Sequence, residues 1–198
     1  MIQILITDLN GTPREWQDFY TAACYYARGK VVWSVGDSIK TFHGGKNSEG
    51  TQSLIDIAPV VGVTGPLVGD KWLKKTSKYV ERDILYMRDR LICAYCGDKL
   101  LPMKATIDHI YPKSRGGLNI WENAVTACKP CNHFKADRTP EEAAMQLLYV
   151  PYVPTLAEKF ILKNRHVLAD QMTFLEAKVD KKSRLRGSDG KIHMSCFM

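Results

Sequence analysis

Two C-x-x-C pairs, Cys93/Cys96 and Cys128/Cys131, stand 31 residues apart in this chain. One such turn presents two thiolates to a single point, and two turns complete the tetrahedral four-ligand shell that Zn²⁺ prefers. Four sulfurs leave no open position for water, so an ion held this way staples a fold rather than acting on a substrate. The span between the pairs is too long for a common zinc ribbon and implies a small subdomain between two knuckles. Two redox pairs or two disulfides are the competing assignments for the same cysteines. Zinc is favoured by the polar cluster between the pairs. It also suits a reducing compartment, which the N-terminus suggests, having neither the basic opening nor the long apolar core of a secretory leader.

Between the knuckles, Lys104 to Tyr111 is β-branched and aromatic and runs into Pro112 and Gly116-Gly117, the pattern of a strand entering a loop. Neighbouring strand residues point to opposite faces, so Asp108 and His109 can share a face only if the strand ends or bulges there. Asn123 to Ala127 reads as the return strand. Lys129 to Ala136 reads as a short helix starting at the second knuckle, with Asn132 and Lys135 on one face at i and i+3. The expected unit is therefore ββα, closed by zinc.

The chemistry-bearing residues lie in the same span. Imidazole titrates near neutral pH, so His109 suits proton abstraction from water. The Asp108 carboxylate and the Asn132 amide oxygen are hard ligands for a divalent cation that keeps several waters, Mg²⁺ or Mn²⁺ rather than a softer ion. Lys113, Arg115, Lys135 and Arg138 add positive charge to the same span, a setting for an anionic partner. His133 comes after Asn132 on the helix and should point elsewhere.

The run Asp108-His109-Ile110, Pro112, Ser114, Gly116-Gly117, then Glu122-Asn123, then Cys128, Cys131-Asn132 and Lys135 is similar to the HNH endonuclease pattern. Arg138-Thr139-Pro140-Glu141-Glu142 resembles the segment just after the motif in many bacterial and phage members. The detailed likeness covers about a quarter of the chain. It has Asn132 where some members have His, a form common in the family. The resemblance implies metal-dependent hydrolysis of a nucleic-acid phosphodiester, the cation stabilising the departing oxygen and Lys113, Arg115, Lys135 and Arg138 holding neighbouring phosphates, with DNA preferred over RNA. It also implies one catalytic metal and an Asn123 that braces the loop carrying His109. The rival expectation is a catalytically silent zinc-stabilised nucleic-acid-binding module, or an interaction subunit of a larger assembly.

Charge supports a polyanionic partner. The net charge is +7, but residues 1–70 sum to −2, residues 71–138 to +7 and residues 139–198 to +2. The excess thus sits on the nuclease-like segment and its lead-in. No apolar run is long enough for a membrane span, and a cytoplasmic protein is expected.

The remaining chain suggests an α+β protein: an N-terminal α+β region (1–70), a basic helical lead-in (71–90), the zinc-stapled ββα-metal nuclease core (91–150), a C-terminal helix (151–180) and a basic, mobile tail (181–198). In the first region Ile2 to Thr7 alternates as a strand. Thr12-Pro13-Arg14-Glu15 has the form of a capping box opening a helix from Pro13 to about Arg28, with Cys24 as a small core residue. Lys30–Val35 and Ser38–Phe42 suggest a hairpin, and Leu54–Thr64 a strand interrupted by Pro59. This region carries no catalytic constellation and reads as a scaffold. Further helices are expected over Lys71–Arg90, from Thr139 to about Tyr149 (burying Ala144, Leu147 and Leu148), and from Thr155 to about Val179. The stripe Ile161, Leu168, Met172, Leu175, Val179 on the last of these is a core face or a dimer seam, so the sequence leaves monomer and dimer open.

Overall fold

The computed structural model describes residues 2–46, 48–65, 79–164 and 166–192. In chain order the elements are β1 (Ile4–Thr7), β2 (Pro13–Gln17), α1 (Phe19–Ala27), β3 (Val31–Val35), β4 (Lys40–Lys46), β5 (Gln52–Ile57), β6 (Val60–Val63), α2 (Arg82–Arg88), β7 (Ala105–His109), β8 (Ala124–Cys128), α3 (Lys129–Lys135), α4 (Leu156–Lys163) and α5 (Ala169–Glu176). The mixture is α+β. It divides into two compact units, one from the described residues of Met1–Lys74 with Asn164–Val179, the other from those of Lys75–Lys163 with Asp180–Met198.

The first unit is built on a four-stranded sheet of order β2-β1-β6-β3. Its central strands β1 and β6 run parallel, and every residue of both is buried. That is why Ile4-Leu5-Ile6 and Val60-Val61 are continuous apolar runs. Gly62 is required on β6 because a Cβ there would stand 2.1 Å from the Trp33 ring.

Three expectations fail in this unit. The stretch from Pro13 is not a helix. The Asp8 carboxylate accepts from the amides of Asn10 (3.0 Å) and Thr12 (2.8 Å) and pairs with Arg14 (2.6 Å), so the chain reverses and β2 pairs antiparallel with β1. The helix starts only after Asp18, whose carboxylate caps the Thr21 amide at 2.8 Å. A second capping residue a turn downstream thus wins over the Thr12–Glu15 pattern, because β1 needs a partner on its outer side. Cys24 is exposed rather than core. The β3–β4 hairpin is absent: β3 pairs with β6, and β4 with β5. Pro59 does break the 54–64 stretch, but into strands of two different sheets.

The second unit packs α2, α4 and the β7–β8 hairpin around Ile84, Leu85, Trp121, Val125, Phe160 and Ile161, all at most 2 % exposed. Arg88 lies in this core with Asp89. Its guanidinium donates to Asp89 (2.8 Å) and to the carbonyls of Trp121 (2.9 Å), Ala124 (2.8 Å) and Tyr152 (2.8 Å), while Asp89 accepts from the Thr126 amide at 2.8 Å. Removing one member of a buried pair strands the other, at a cost of about 3–5 kcal/mol. Arg88→Met is therefore expected to lower the unfolding free energy of this unit by that amount in urea titrations of the zinc-loaded protein. A loss below about 1 kcal/mol would contradict the role given to the pair.

Here too the expected helices are shortened. From Thr139 there is only one turn. Its capping pair forms, the Thr139 amide donating to Glu142 at 3.0 Å and the Glu142 amide to Thr139 at 3.3 Å. The chain then leaves helical space at Ala144 (φ 52°). Ala143 is the buried residue, while Ala144 and Leu148 are exposed, and the Leu148 amide bonds the Ala94 carbonyl at 2.8 Å. The single helix from Thr155 to Val179 is two helices, α4 in the second unit and α5 in the first. The break is stabilised by Asn164, whose side chain accepts the His166 amide at 3.0 Å, and by Gln171, which accepts the Leu168 amide at 3.0 Å and donates to the Gln3 and Pro59 carbonyls. Residues 180–192 are not a loose tail: Leu185 and Ile192 are buried, Arg186 bridges Ile192, and the Ser183 hydroxyl donates to Glu158. Of the basic lead-in 71–90, residues 71–78 lie outside the described residues, as do 193–198 of the tail, and the described part of the lead-in contains α2.

Candidate active site

The sulfur cluster arises from two local structures. Cys93 and Cys96 flank a turn, closed by the Gly97 amide on the Cys93 carbonyl at 3.1 Å. Cys128 ends β8 and caps α3, its sulfur accepting from the Cys131 amide at 3.4 Å. All four Sγ atoms lie within 4.8 Å of one another, and Cys96 and Cys128 are 3.9 Å apart. A tetrahedron with Zn–S bonds of about 2.3 Å has edges of about 3.8 Å, so the cluster fits zinc. No disulfide joins these cysteines. Burial pushes the Cys93 thiol up, but amide donors from Cys96, Cys128 and Tyr95 outweigh it and bring it down to about 7. Burial pushes Cys96 up to about 11, and burial and the neighbouring sulfurs raise Cys131 further.

Asp108 and His109 are the last residues of β7, paired with Val125 and Ala124 of β8. The strand ends there, which frees them from strict alternation. Together with Asn132, Lys113 and Ser114 they line an open cleft of about 280 Å³. Asp108 is 4 % exposed, and each carboxylate oxygen has one protein donor: the Lys135 ammonium at 3.0 Å on Oδ1, and the Tyr95 hydroxyl on Oδ2. Asn132 donates its amide nitrogen to Thr106 at 3.0 Å and to the Ile107 carbonyl at 3.4 Å. Its Oδ1 accepts from no described residue. Since each carboxylate oxygen can accept twice, the cleft still offers hard oxygens from Asp108 and Asn132, a donor set that fits Mg²⁺ or Mn²⁺.

Nε2 of His109 lies 2.9 Å from Oδ1 of Asn119. A carbonyl oxygen can only accept, so Nε2 carries the proton and the lone pair of the neutral ring is at Nδ1. The loop that returns from His109 is fixed by Asn123. Its Oδ1 accepts the Tyr111 amide at 2.8 Å, and its Nδ2 donates to the carbonyls of Tyr111 (3.1 Å) and Leu118 (2.9 Å). Gly117 lets the loop close on itself, because a Cβ there would stand 1.9 Å from the Tyr111 carbonyl oxygen.

The basic residues separate into different environments. Lys113 is exposed at the cleft rim. Arg115 is exposed, lies over the Tyr111 ring and pairs with Glu142 at 2.5 Å. That pairing holds the Glu142 carboxyl below its usual range. Arg138 lies over Phe134 and donates to the Phe134 carbonyl at 2.5 Å. Lys135 departs from the expected phosphate contact: it is fully buried, bonding Asp108 and, at 2.8 Å, the His109 carbonyl. Its position one helical turn from Cys131 turns it inward toward β7.

Tyr95 and Asn119 are the site residues that sequence reasoning missed. Tyr95 sits inside the first C-x-x-C, a place where only the cysteines carry a sequence signal. Asn119 is a polar residue in a loop and carried none.

Residues 93–148 match the family described as HNH endonuclease, about a quarter of the chain. Every residue from Cys93 to Glu142 named above lies inside that span. No curated protein matches the chain. No helix among the described residues is long and apolar enough to cross a membrane.

Proposed function

We propose that the protein is a metal-dependent endonuclease of the HNH type, hydrolysing phosphodiester bonds of nucleic acid, with DNA the preferred substrate. The observation that carries this reading is one cleft, inside the matched span, that brings together Asp108, His109 and Asn132. The DNA preference rests on the resemblance.

Nδ1 of His109 accepts a proton from the attacking water, the ring being aimed by Asn119 and its loop held by Asn123. Asp108 and Asn132 would hold Mg²⁺ or Mn²⁺, which would supply positive charge beside the scissile phosphate and its leaving oxygen. Lys113, and Arg115 and Arg138 once a phosphate competes for them, contact the flanking backbone. Cys93, Cys96, Cys128 and Cys131 would hold Zn²⁺, which would staple the platform.

The test is incubation of the zinc-loaded protein with plasmid DNA, and in parallel with RNA, in Mg²⁺ or Mn²⁺. Cleavage that stops on chelation of these ions and in Asn132→Ala supports the reading. Intact nucleic acid under all conditions overturns it. A silent nucleic-acid-binding module is the second reading, and one observation favours it: both Asp108 oxygens already have protein donors. That module would bind plasmid and leave it whole.

Asn119→Leu should lower the cleavage rate by about ten- to a hundredfold at unchanged nucleic-acid affinity, since a misaimed base costs on that order. Asn119→Asp, which keeps an acceptor oxygen in the same place, should recover most of it. Equal rates in the leucine variant and wild type would remove Asn119 from the mechanism.

A further inference from the structure

The two sites, sulfur and oxygen, are joined through Asp108. Its Oδ2 receives the hydroxyl of Tyr95, which stands between Cys93 and Cys96, and its Oδ1 receives Lys135, on the helix that Cys128 caps. Each knuckle thus sends one donor to the same carboxylate. The two donors differ in kind. Lys135 also bonds the His109 carbonyl and is fully buried, so its place in the fold is over-determined. Tyr95 is half-buried, and its hydroxyl has the Asp108 oxygen as its partner. The phenol O–H donates and the carboxylate oxygen accepts, so this contact holds one Asp108 oxygen in place.

A carboxylate that ligates a divalent cation through one lone pair is aimed by what holds the others. The geometry points to Tyr95 as a positioning residue that passes the order of the first zinc knuckle to Asp108, so that the grip of the oxygen site on Mg²⁺ or Mn²⁺ depends on a residue of the sulfur site. This rests on the assignment of Asp108 as a ligand in the proposed endonuclease.

The test is Mn²⁺ binding to zinc-loaded protein, read by electron paramagnetic resonance of free Mn²⁺. Tyr95→Phe removes one oxygen and is expected to keep zinc content and Tm while weakening Mn²⁺ binding about ten- to a hundredfold, the range found when outer partners of metal ligands are removed. Combined with Asp108→Asn it should add little, because Tyr95 acts through Asp108. Wild-type affinity in Tyr95→Phe, or full additivity in the double variant, overturns the proposal. If Tyr95→Phe loses zinc or fails to fold, the wild-type protein decides. The Tyr95 hydroxyl proton should then be visible by NMR as a slowly exchanging signal that Asp108→Ala abolishes, and its persistence in that variant overturns the proposal. Wild-type protein that binds Mn²⁺ but cuts nothing would sink the endonuclease reading and leave this inference standing. Wild-type protein that binds no Mn²⁺ sinks both.

Discussion

Replacing His109 by alanine is expected to reduce metal-dependent cleavage by about 10²–10⁴-fold, the usual contribution of a positioned general base. Nucleic-acid affinity should be unchanged. The substitution removes a ring whose one described polar partner is Asn119. The His109 backbone stays in place, because its carbonyl still accepts Lys135 and its strand still pairs with β8. Loss of rate without loss of binding or of zinc is therefore the signature of a missing proton acceptor. Single-turnover cleavage of plasmid in Mn²⁺, beside a binding isotherm in chelator, measures both quantities. Adding Asn119→Leu to the alanine variant should do nothing more, since no ring remains to be aimed. Retention of a third or more of the wild-type rate would exclude His109 as the base.

Cys93→Ser should unfold the second unit rather than slow it. Cys93 is completely buried, and its sulfur accepts the Cys128 amide at 3.4 Å, so it ties the two knuckles together even before an ion is considered. Structural zinc in small domains contributes apparent binding energies of about 10–16 kcal/mol, which is folding energy where no site exists in the unfolded chain. Losing a thiolate forfeits a large part of this, a loss comparable with the whole stability of an ordinary domain, about 5–15 kcal/mol. Zinc stoichiometry, far-UV circular dichroism and thermal unfolding would register the loss together. A strong chelator should reproduce it in wild-type protein. Because ligation requires the thiols to shed protons, zinc should also be released more readily as pH falls. A stable, zinc-free and active serine variant would refute the structural role of the ion.

The β7–β8 hairpin and α3 were legible because their constraints are local. Cys93, Cys96, Cys128 and Cys131 bring four sulfurs together, and β7, β8 and α3 fall within two residues of where strand and turn chemistry put them. Elsewhere local signals competed. Thr12–Glu15 and Asp18 both have the form of helix starts, and only the need of β1 for an outer partner decides between them. Thr139 and Glu142 do form their reciprocal pair and Ala144, Leu147 and Leu148 keep helical spacing after them, yet Ala144 takes a positive φ and the Leu148 amide bonds the Ala94 carbonyl instead of extending a helix. The stripe from Ile161 to Val179 keeps helical periodicity across Asn164, so nothing in its spacing announces two helices in two units. Lys135 shows the same limit within the site. Its charge suggested an outward phosphate contact, whereas a buried carboxylate on another element draws it inward.

The chain builds its first unit, leaves to build the second, returns for Asn164–Val179, and leaves again for the residues after it. The segment that carries the proposed active site is thus not a cassette. An excised 80–163 fragment would forfeit Leu185 and Ile192, which are buried, and the hydroxyl of Ser183 on Glu158. A chain stopped at Lys163 would also deprive β1 and β6 of Gln171, which bonds the backbone at Gln3 and Pro59. Evolution or an engineer wishing to transplant this site onto another scaffold must therefore sever and rejoin the polypeptide at two places, and a single fusion point will not serve.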